Sequence, residues 1–248
     1  MIYSNFAYIY DKLMYDVDYI KWANYIEDIF RQNGIKPELV ADIACGTGNF
    51  AIEMSTRGYD MIGIDISVDM LNCAKEKSQA RGQDILFLCQ DMTDFELYGT
   101  VDAIVCLMDS VNYITSKRDL NSFFKLVKNY LNPSGIFIFD INTPYKFEKK
   151  LENNVFYDIG DDITYIWQNN YDRKKKLCEF DLTFFVKEGD SYKRYEETHI
   201  ERSYLTDELK TILEKTGLKL IGIYDELEFS KPSKKSERVF FVSKKGAE

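Results

Sequence analysis

The sequence contains few of the residues on which metal centres and disulfide frameworks depend. Among its 248 residues there is one histidine, His199, which argues against a histidine-based zinc centre. The five cysteines are odd in number and form no C-x-x-C pair, so we expect reduced thiols, as in a cytoplasmic protein. The composition therefore predicts a protein without a bound metal and without structural disulfides.

Long apolar runs and an excess of basic charge are also absent. No run reaches the roughly 18 apolar residues that a membrane-spanning helix needs, and the aromatic, acidic start MIYSNFAYIYDKLMYD lacks the features of a secretory signal. The 32 basic and 41 acidic residues give a net charge of −9, whereas nucleic-acid binding depends on Lys and Arg that neutralise phosphates. We expect neither a membrane nor a nucleic-acid partner, whereas a protein partner stays open.

The order of apolar and amphipathic segments predicts an α/β fold. Helices are expected at residues 17–33, 49–58, 67–82 and 117–135, with Ser67 as the N-cap of the third. Apolar runs between and after them predict strands at 39–45, 59–67, 84–91, 101–110 and 136–142. Continuous apolar strands that alternate with helices are typical of a parallel sheet covered on both faces.

Residues 146–203 follow a different pattern, in which aromatic or β-branched residues alternate with polar ones. We interpret this segment as a small antiparallel sheet, a lid or substrate subdomain inserted into a main domain of residues 1–145 and 204–248. A helix from Thr206, expected to be capped by a box of Thr206 and Glu208, then leads to strands at 218–226 and 238–245. The loop between these two strands is so short that only an antiparallel pair fits.

The stretch ADIACGTGNF, residues 41–50, places Gly46 and Gly48 between a predicted strand and a predicted helix. Such a turn lets backbone N–H groups approach a ligand, and the positive end of the helix favours an anion there. The motif from Gly46 to Ala51 satisfies the dinucleotide fingerprint, and Asp65 follows Gly46 by 19 residues, as a ribose-binding acid would. An NAD(P)-dependent oxidoreductase is therefore one interpretation.

Three further features favour a different cofactor. Asp42 lies at the end of the first predicted strand, the third strand ends in Asp91–Met92, and the last strand is expected to be antiparallel. Together they resemble the class I S-adenosylmethionine-dependent methyltransferases, whose loop reads D/E-x-G-x-G-x-G. Ala44 stands at the first glycine position, where we expect it to fit with a negative φ angle. The resemblance covers nearly the whole chain and implies a Rossmann-like seven-stranded sheet, mostly parallel with an antiparallel last strand.

The resemblance also implies which residues bind S-adenosylmethionine. Ala44, Gly46 and Gly48 would approach its methionine part, Asp65 would accept both ribose hydroxyls, and Asp91 and Met92 would meet the adenine amino group and ring. The remaining members of the implied cofactor-binding set are Tyr10, Trp22, Asp42, Cys45, Asn49, Ile66, Met70, Gln90, Leu107, Met108 and Ser110. The last three would line the passage between cofactor and acceptor.

Such an enzyme mainly aligns the acceptor with the methyl group, excludes water and removes a proton where needed. The catalytic candidates are His199, the ordinary base near neutral pH, Tyr113 beside the expected acceptor mouth, and Tyr10. Tyr10, with Tyr3, lies in a segment that looks like the one closing over the cofactor in small-molecule N- and O-methyltransferases. We therefore predict methyl transfer to N or O of a small molecule. An NAD(P)-dependent oxidoreductase and a catalytically silent cofactor-binding regulatory protein stay open as alternatives.

Overall fold

The computed structural model describes residues 4–246, with the backbone alone for residues 4–6 and 8. Tyr3 lies outside the described residues. The helices are α1 Ser4–Leu13, α2 Tyr19–Gln32, α3 Asn49–Thr56, α4 Val68–Ala80, α5 Lys117–Tyr130, α6 Pro144–Lys146 and α7 Thr206–Thr216. A 3-10 turn spans Ser110–Tyr113, and a π-helical turn, Phe147–Leu151, continues α6. None of the helices described between residues 4 and 246 has the length and apolar character that crossing a bilayer requires.

The strands fall into two sheets. They are β1 Leu39–Ile43, β2 Asp60–Asp65, β3 Leu86–Cys89, β4 Val101–Cys106, β5 Leu131–Asn142, β6 Val155–Ile159, β7 Ile163–Asp172, β8 Leu177–Glu188, β9 Ser191–Arg202, β10 Leu218–Asp225 and β11 Arg238–Lys245. The larger sheet has the order β10-β11-β5-β4-β1-β2-β3. Strands β1 to β5 run parallel to one another, while β11 is antiparallel to both β10 and β5. The predicted α/β fold, a Rossmann-like seven-stranded sheet with an antiparallel last strand, is confirmed.

The central strands of this sheet are buried on both faces. Ala41 and Ile43 of β1 pack with Phe123 of α5 on one face, whereas Val40 packs with Ile26 of α2 on the other. Successive side chains of a strand point to opposite faces, so both faces of such a strand need apolar residues. The continuous apolar runs of the sequence therefore become strands between two helical layers, and their carboxyl ends are fixed at one edge.

The smaller sheet is antiparallel, with the order β6-β7-β8-β9. Phe147 and Leu151 of the π-helical turn form a buried cluster with Phe180 of β8. A second cluster joins Phe184 of β8 to Ile9 of α1. Both α1 and the turn after β5 thus pack against one face of this sheet.

Local predictions of the helix ends were partly wrong. A helix, α1, precedes the one predicted at residues 17–33, which begins after its N-cap Asp18. Ser67 caps α4 as predicted, since its hydroxyl accepts a hydrogen bond from the Met70 N–H at 3.3 Å. Most of the predicted elements extend one to three residues too far, because they include the cap and turn residues at their ends. The largest error is in the helix predicted at 117–135, which ends at Tyr130, since residues 131–135 begin β5.

The capping box predicted for α7 is wrong. Leu205 occupies the N-cap position without a side-chain hydrogen bond, and Thr206 is the first helical residue. Glu208 pairs instead with Lys117 at 3.1 Å and lies 3.7 Å from Arg202. These two cations are within reach of the carboxylate, which therefore does not turn back to the helix start.

Candidate functional site

A cavity of about 1130 Å³ lies over the carboxyl ends of β1, β2, β3 and β4. Residues of α1 and the inner face of the smaller sheet line its other sides. Ligands of open α/β sheets bind at this edge, and single-ligand pockets typically measure about 300–1000 Å³. The cavity is therefore slightly larger than a typical single-ligand pocket.

The loop after β1 has an unusual backbone. Ala44, Gly46 and Gly48 all have positive φ angles, of 59°, 54° and 74°. The expectation of a negative φ at Ala44 is therefore wrong: the Cys45 N–H donates to the Ile64 carbonyl at 3.0 Å, which holds the chain beside β2. A left-handed conformation disfavours alanine by roughly 1–2 kcal/mol. A Cβ atom at Gly46 would meet no atom within 4 Å, so this backbone borders open space.

Gly48 differs from the other predicted cofactor residues because it does not line the cavity. It is the N-cap of α3, and a Cβ atom there would lie 2.8 Å from the Cβ of Ala74 on α4. The glycine is required by its positive φ angle and by this close approach of two helices. Its effect on the cavity is to fix the path of the loop.

Asp65 lies at the end of β2 and faces the loop after β1. Its two carboxylate oxygens accept hydrogen bonds at 2.8 Å from the N–H groups of Gly46 and Ser67. Burial raises the pKa of Asp65, while these two hydrogen bonds oppose the shift. A carboxylate has about four acceptor positions, so the group is oriented by the backbone and keeps acceptor positions for a ligand.

Asp42 is buried at the end of β1 and lines the same cavity. Its Oδ2 atom has no hydrogen-bond partner among the residues that the structure describes. Burial, with a smaller contribution from the charge of Asp65, raises the pKa of Asp42 to about 8. A buried polar atom without a partner is unfavourable by about 1–3 kcal/mol, and a cationic or hydrogen-donating ligand would satisfy it.

The loop after β3 borders the mouth of the cavity. Asp91 accepts hydrogen bonds at 2.7 Å from both the N–H and the hydroxyl of Thr93, through one oxygen only. The Gln90 amide oxygen accepts from the Glu96 N–H at 2.8 Å, and Met92 is half-buried beside them. The three residues therefore form an ordered edge, with one Asp91 oxygen outside the turn.

The loop after β4 is held by a buried carboxylate. Asp140 of β5 accepts hydrogen bonds from the N–H groups of Met108, at 2.7 Å, and Asp109, at 2.9 Å, both of which have φ angles of 57°. Arg238 of β11 contacts Asp140 and donates to Asp109 at 2.6 Å. Leu107, Met108 and Ser110 therefore reach the cavity on a strained but tightly bound loop.

Several predicted residues converge at the side of the cavity opposite the sheet. Tyr10 of α1, Tyr113 of the 3-10 turn and His199 of β9 all line it. The rings of Tyr113 and His199 meet edge to face, with centroids 5.8 Å apart. Burial lowers the pKa of His199 and raises the pKa of both tyrosines, so all three are neutral near pH 7.

The other predicted cofactor residues also line the cavity: Trp22, Cys45, Asn49, Ile66 and Met70. Trp22 is mostly buried as well, because its ring packs on Phe240 at 5.4 Å and under the Arg238 guanidinium at 5.6 Å. It contributes to both the core and the cavity wall. Asn49 begins α3 and takes part in a polar cluster described next.

A polar cluster fixes α1 over the loop after β1. The Asp11 carboxylate accepts from the Thr47 hydroxyl at 2.5 Å and from the Asn49 amide at 3.0 Å, and pairs with Lys77 at 2.5 Å. Lys77 also donates to Asn49 at 2.6 Å. Because Asp11 follows Tyr10, this cluster determines where Tyr10 enters the cavity.

Within residues 4–246, no three His, Cys, Asp or Glu side chains are grouped as metal ligands.

Sequence reasoning missed Asp109, Lys146, Glu201 and Arg238, which also line the cavity. Glu201 could have been inferred, because it lies two residues after His199 and a strand returns to the same face every second residue. Arg238 could not, because its position depends on the pairing of β11 with β5, where it lies opposite Asn142.

Comparisons with known proteins agree with this geometry. A family model described as a methyltransferase domain matches residues 40–135. The chain is 36% identical over 246 residues to the Bacillus subtilis (strain 168) protein YqeM, whose name gives it as a candidate methyltransferase, covering 99% of this chain and 98% of that protein. A dTDP-3-amino-3,4,6-trideoxy-alpha-D-glucopyranose N,N-dimethyltransferase of Streptomyces venezuelae is 29% identical over 121 residues, 49% of each chain. The crystal structure of an S-adenosylmethionine-dependent methyltransferase from Clostridium acetobutylicum ATCC 824 matches with a TM-score of 0.91 and 35% identity over 99% of both chains. The chain therefore belongs to the S-adenosylmethionine-dependent methyltransferase family.

Proposed function

We propose that this methyltransferase transfers the methyl group of S-adenosylmethionine to a nitrogen or oxygen atom of a small molecule. The observation that carries the proposal is the single cavity of about 1130 Å³, which joins the predicted cofactor residues to His199, Tyr113 and Tyr10. Membership of the family replaces the alternative of an NAD(P)-dependent oxidoreductase.

The residues at the sheet edge fit the cofactor. The unpartnered Asp42 oxygen would receive its cationic methionine end, and the backbone at Ala44 and Gly46 leaves open space beside it. Asp65, already oriented by two N–H groups, would accept the ribose hydroxyls. The Asp91 oxygen outside its turn and the Met92 side chain would meet the adenine.

The bound cofactor supplies an electrophilic methyl group on a sulfonium. The chain itself has to hold the acceptor in line with that group, exclude water and accept a proton. Tyr10 and Tyr113, kept neutral by burial, would donate or accept hydrogen bonds to position the acceptor. The loop of Leu107, Met108 and Ser110 would line the passage between the two ligands.

The acceptor side of the cavity suits a small molecule. Trp167, Phe180 and Leu182 of the smaller sheet line it together with His199. The Trp167 Nε1 atom is buried and has no hydrogen-bond partner in the described part of the chain, so a polar acceptor would satisfy it. The Streptomyces venezuelae relative, named for a sugar amine, also favours a small acceptor.

The proposal extends to the division of the chain. Residues 1–145 and 204–248 would form the cofactor-binding domain, and residues 146–203 a lid that selects the acceptor. A cytoplasmic location is also proposed, because all five cysteines are free thiols.

Turnover tests the proposed function. Purified protein with S-adenosylmethionine would be incubated with matched amines and alcohols, and S-adenosylhomocysteine formation would be measured above the acceptor-free rate. We expect turnover with at least one small acceptor and loss of it in Asp65→Ala. Cofactor binding without turnover for any acceptor would instead support the silent regulatory alternative.

A further inference from the structure

The cavity is strongly acidic. Its lining contains ten acidic side chains and three basic ones. The acidic residues are Asp16, Asp18, Asp42, Asp65, Asp91, Asp109, Asp119, Glu197, Glu201 and Glu226, and the basic ones are Lys21, Lys146 and Arg238. S-adenosylmethionine carries one net positive charge, which accounts for part of this excess near β1 and β2. Asp109, Glu197 and Glu201 lie at the other end, beside His199.

Glu201 is the most deeply buried acid at that end, with 3% of its surface exposed. It lies on β9, two residues after His199, and its Oε2 atom accepts from the Asn142 amide at 3.3 Å. Its carboxyl group also lies within hydrogen-bonding reach of the Asp109 carboxyl group. Two carboxyl groups can share a hydrogen bond only if one of them is protonated.

The surroundings decide which of the two carries the proton. Burial alone would raise the pKa of Asp109, but the charges of Arg238 and Lys146 outweigh it and hold that pKa below its ordinary value. Burial, followed by the charge of Asp109, raises the pKa of Glu201 well above its ordinary value. Asp109 is therefore the carboxylate, and Glu201 the neutral acid that donates to it.

We propose that the acceptor is a small amine that enters as an ammonium ion, and that Glu201 is the base that takes its proton. This inference rests on the proposed function and narrows it to methyl transfer to nitrogen. The acceptor nitrogen would lie beside Glu201, and its N–H groups would donate hydrogen bonds to the Glu201 carboxyl group.

The proton inventory of this step balances. When the ammonium ion enters, Glu201 releases its own proton to solvent and forms an ion pair with the cation. One proton then moves from the nitrogen to the Glu201 carboxylate, which leaves a neutral amine with a free electron pair for the methyl group. The Arg238–Asp109 pair remains charged throughout, because Asp109 donates no proton.

Other groups near Glu201 fit the role less well. His199 lies on the same face of β9, but burial lowers its pKa and so weakens it as a base. Tyr113, Cys178 and Lys146 also face Glu201. Burial raises the pKa of the Tyr113 phenol and the Cys178 thiol, which therefore stay protonated.

The test compares wild type with Glu201→Gln and the control Glu196→Gln, which lies on the exposed outer face of β9. Infrared difference spectra of the S-adenosylhomocysteine complex at pH 7 would record the carbonyl band of protonated carboxyl groups. Asp42→Asn should leave the band unchanged, because Asp42 is expected to be ionised in this complex. Benzylamine and benzyl alcohol serve as matched probes, and calorimetry in buffers of different ionisation enthalpy would count the protons released on binding.

We expect a protonated-carboxyl band that Glu201→Gln removes and Glu196→Gln keeps. Benzylamine should abolish this band and release about one proton per site, while benzyl alcohol does neither, and Glu201→Gln should bind benzylamine at least 10-fold more weakly. Where benzylamine is methylated, Glu201→Gln should lower kcat/KM by about 100-fold or more.

The absence of that band, equal binding of amine and alcohol, or binding of neither would overturn the amine assignment. Unchanged benzylamine binding in Glu201→Gln would overturn the role of Glu201. Since each measurement uses a protein that already binds S-adenosylhomocysteine, these results are distinct from a failure of the proposed function, in which the cofactor product itself does not bind.

Discussion

Replacing Asp42 with asparagine removes a buried carboxyl group while keeping its shape. The pKa of about 8 in the folded protein lies about four units above the ordinary value of 3.8, and each unit corresponds to about 1.4 kcal/mol. A raised folded pKa means that stability is fully present below about pH 4 and is lost as the pH rises towards 8. The neutral asparagine side chain has no such dependence.

Asp42→Asn should therefore gain stability relative to wild type as the pH rises, by about 4 kcal/mol between pH 5 and pH 8. Urea unfolding followed by tryptophan fluorescence at each pH measures the difference. The control is Asp60→Asn, at the exposed start of β2. A difference that stays constant from pH 5 to pH 8 would refute the argument, because it would mean that Asp42 is ionised in the free protein.

The same substitution tests the link between Asp42 and the cofactor. If the methionine end of the cofactor satisfies the buried oxygen, binding should drive Asp42 to ionise and release a proton near pH 7. Calorimetry with S-adenosylhomocysteine in two buffers should show this release in wild type and not in Asp42→Asn. If both proteins release the same number of protons on binding, the ionisation of Asp42 is not linked to cofactor binding.

Three other substitutions have outcomes fixed by the backbone and the buried charges. Gly48→Ala should destabilise by about 1–3 kcal/mol, because its Cβ would lie 2.8 Å from that of Ala74 at a positive φ angle, and an unchanged urea midpoint would contradict this. Ala44→Gly should stabilise the folded protein by about 1 kcal/mol, because removing the strain of a left-handed alanine outweighs the entropy that glycine adds to the unfolded chain. A lower melting temperature would contradict this. Arg238→Met should destabilise by about 3–5 kcal/mol at pH 7, because it leaves the buried Asp140 without its cation, and a chemical-unfolding difference below about 1 kcal/mol would argue against this ion-pair network.

The fold was predictable because both of its signals are local in sequence. Continuous apolar strands separated by helices indicate a parallel sheet, and the short loop before β11 indicates the antiparallel strand. The positions of Asp42, Asp65 and Asp91 follow from the same logic, since each comes at the end of a parallel strand and these ends meet at one edge.

The rest of the site depends on contacts between distant segments. Arg238 reaches Asp109 and Asp140 only because β11 pairs with β5 in one particular register. The positive φ angle of Ala44 arises from the position of the loop beside β2 and not from alanine itself. Glu201 was within reach of sequence reasoning, since strand alternation places it on the face of His199, but its burial beside Asp109 follows from how β9 packs against the 3-10 turn Ser110–Tyr113.

The most direct test of the account is a calorimetric titration with S-adenosylhomocysteine on wild type, Asp65→Ala and the control Asp60→Ala. We expect saturable binding to wild type and to the control, and binding to Asp65→Ala that is weaker by about 1–3 kcal/mol, or roughly 5- to 150-fold. Circular dichroism of each variant would establish that it is folded. No heat with wild type, or equal affinity in Asp65→Ala, would contradict the assignment of this sheet edge as the cofactor site.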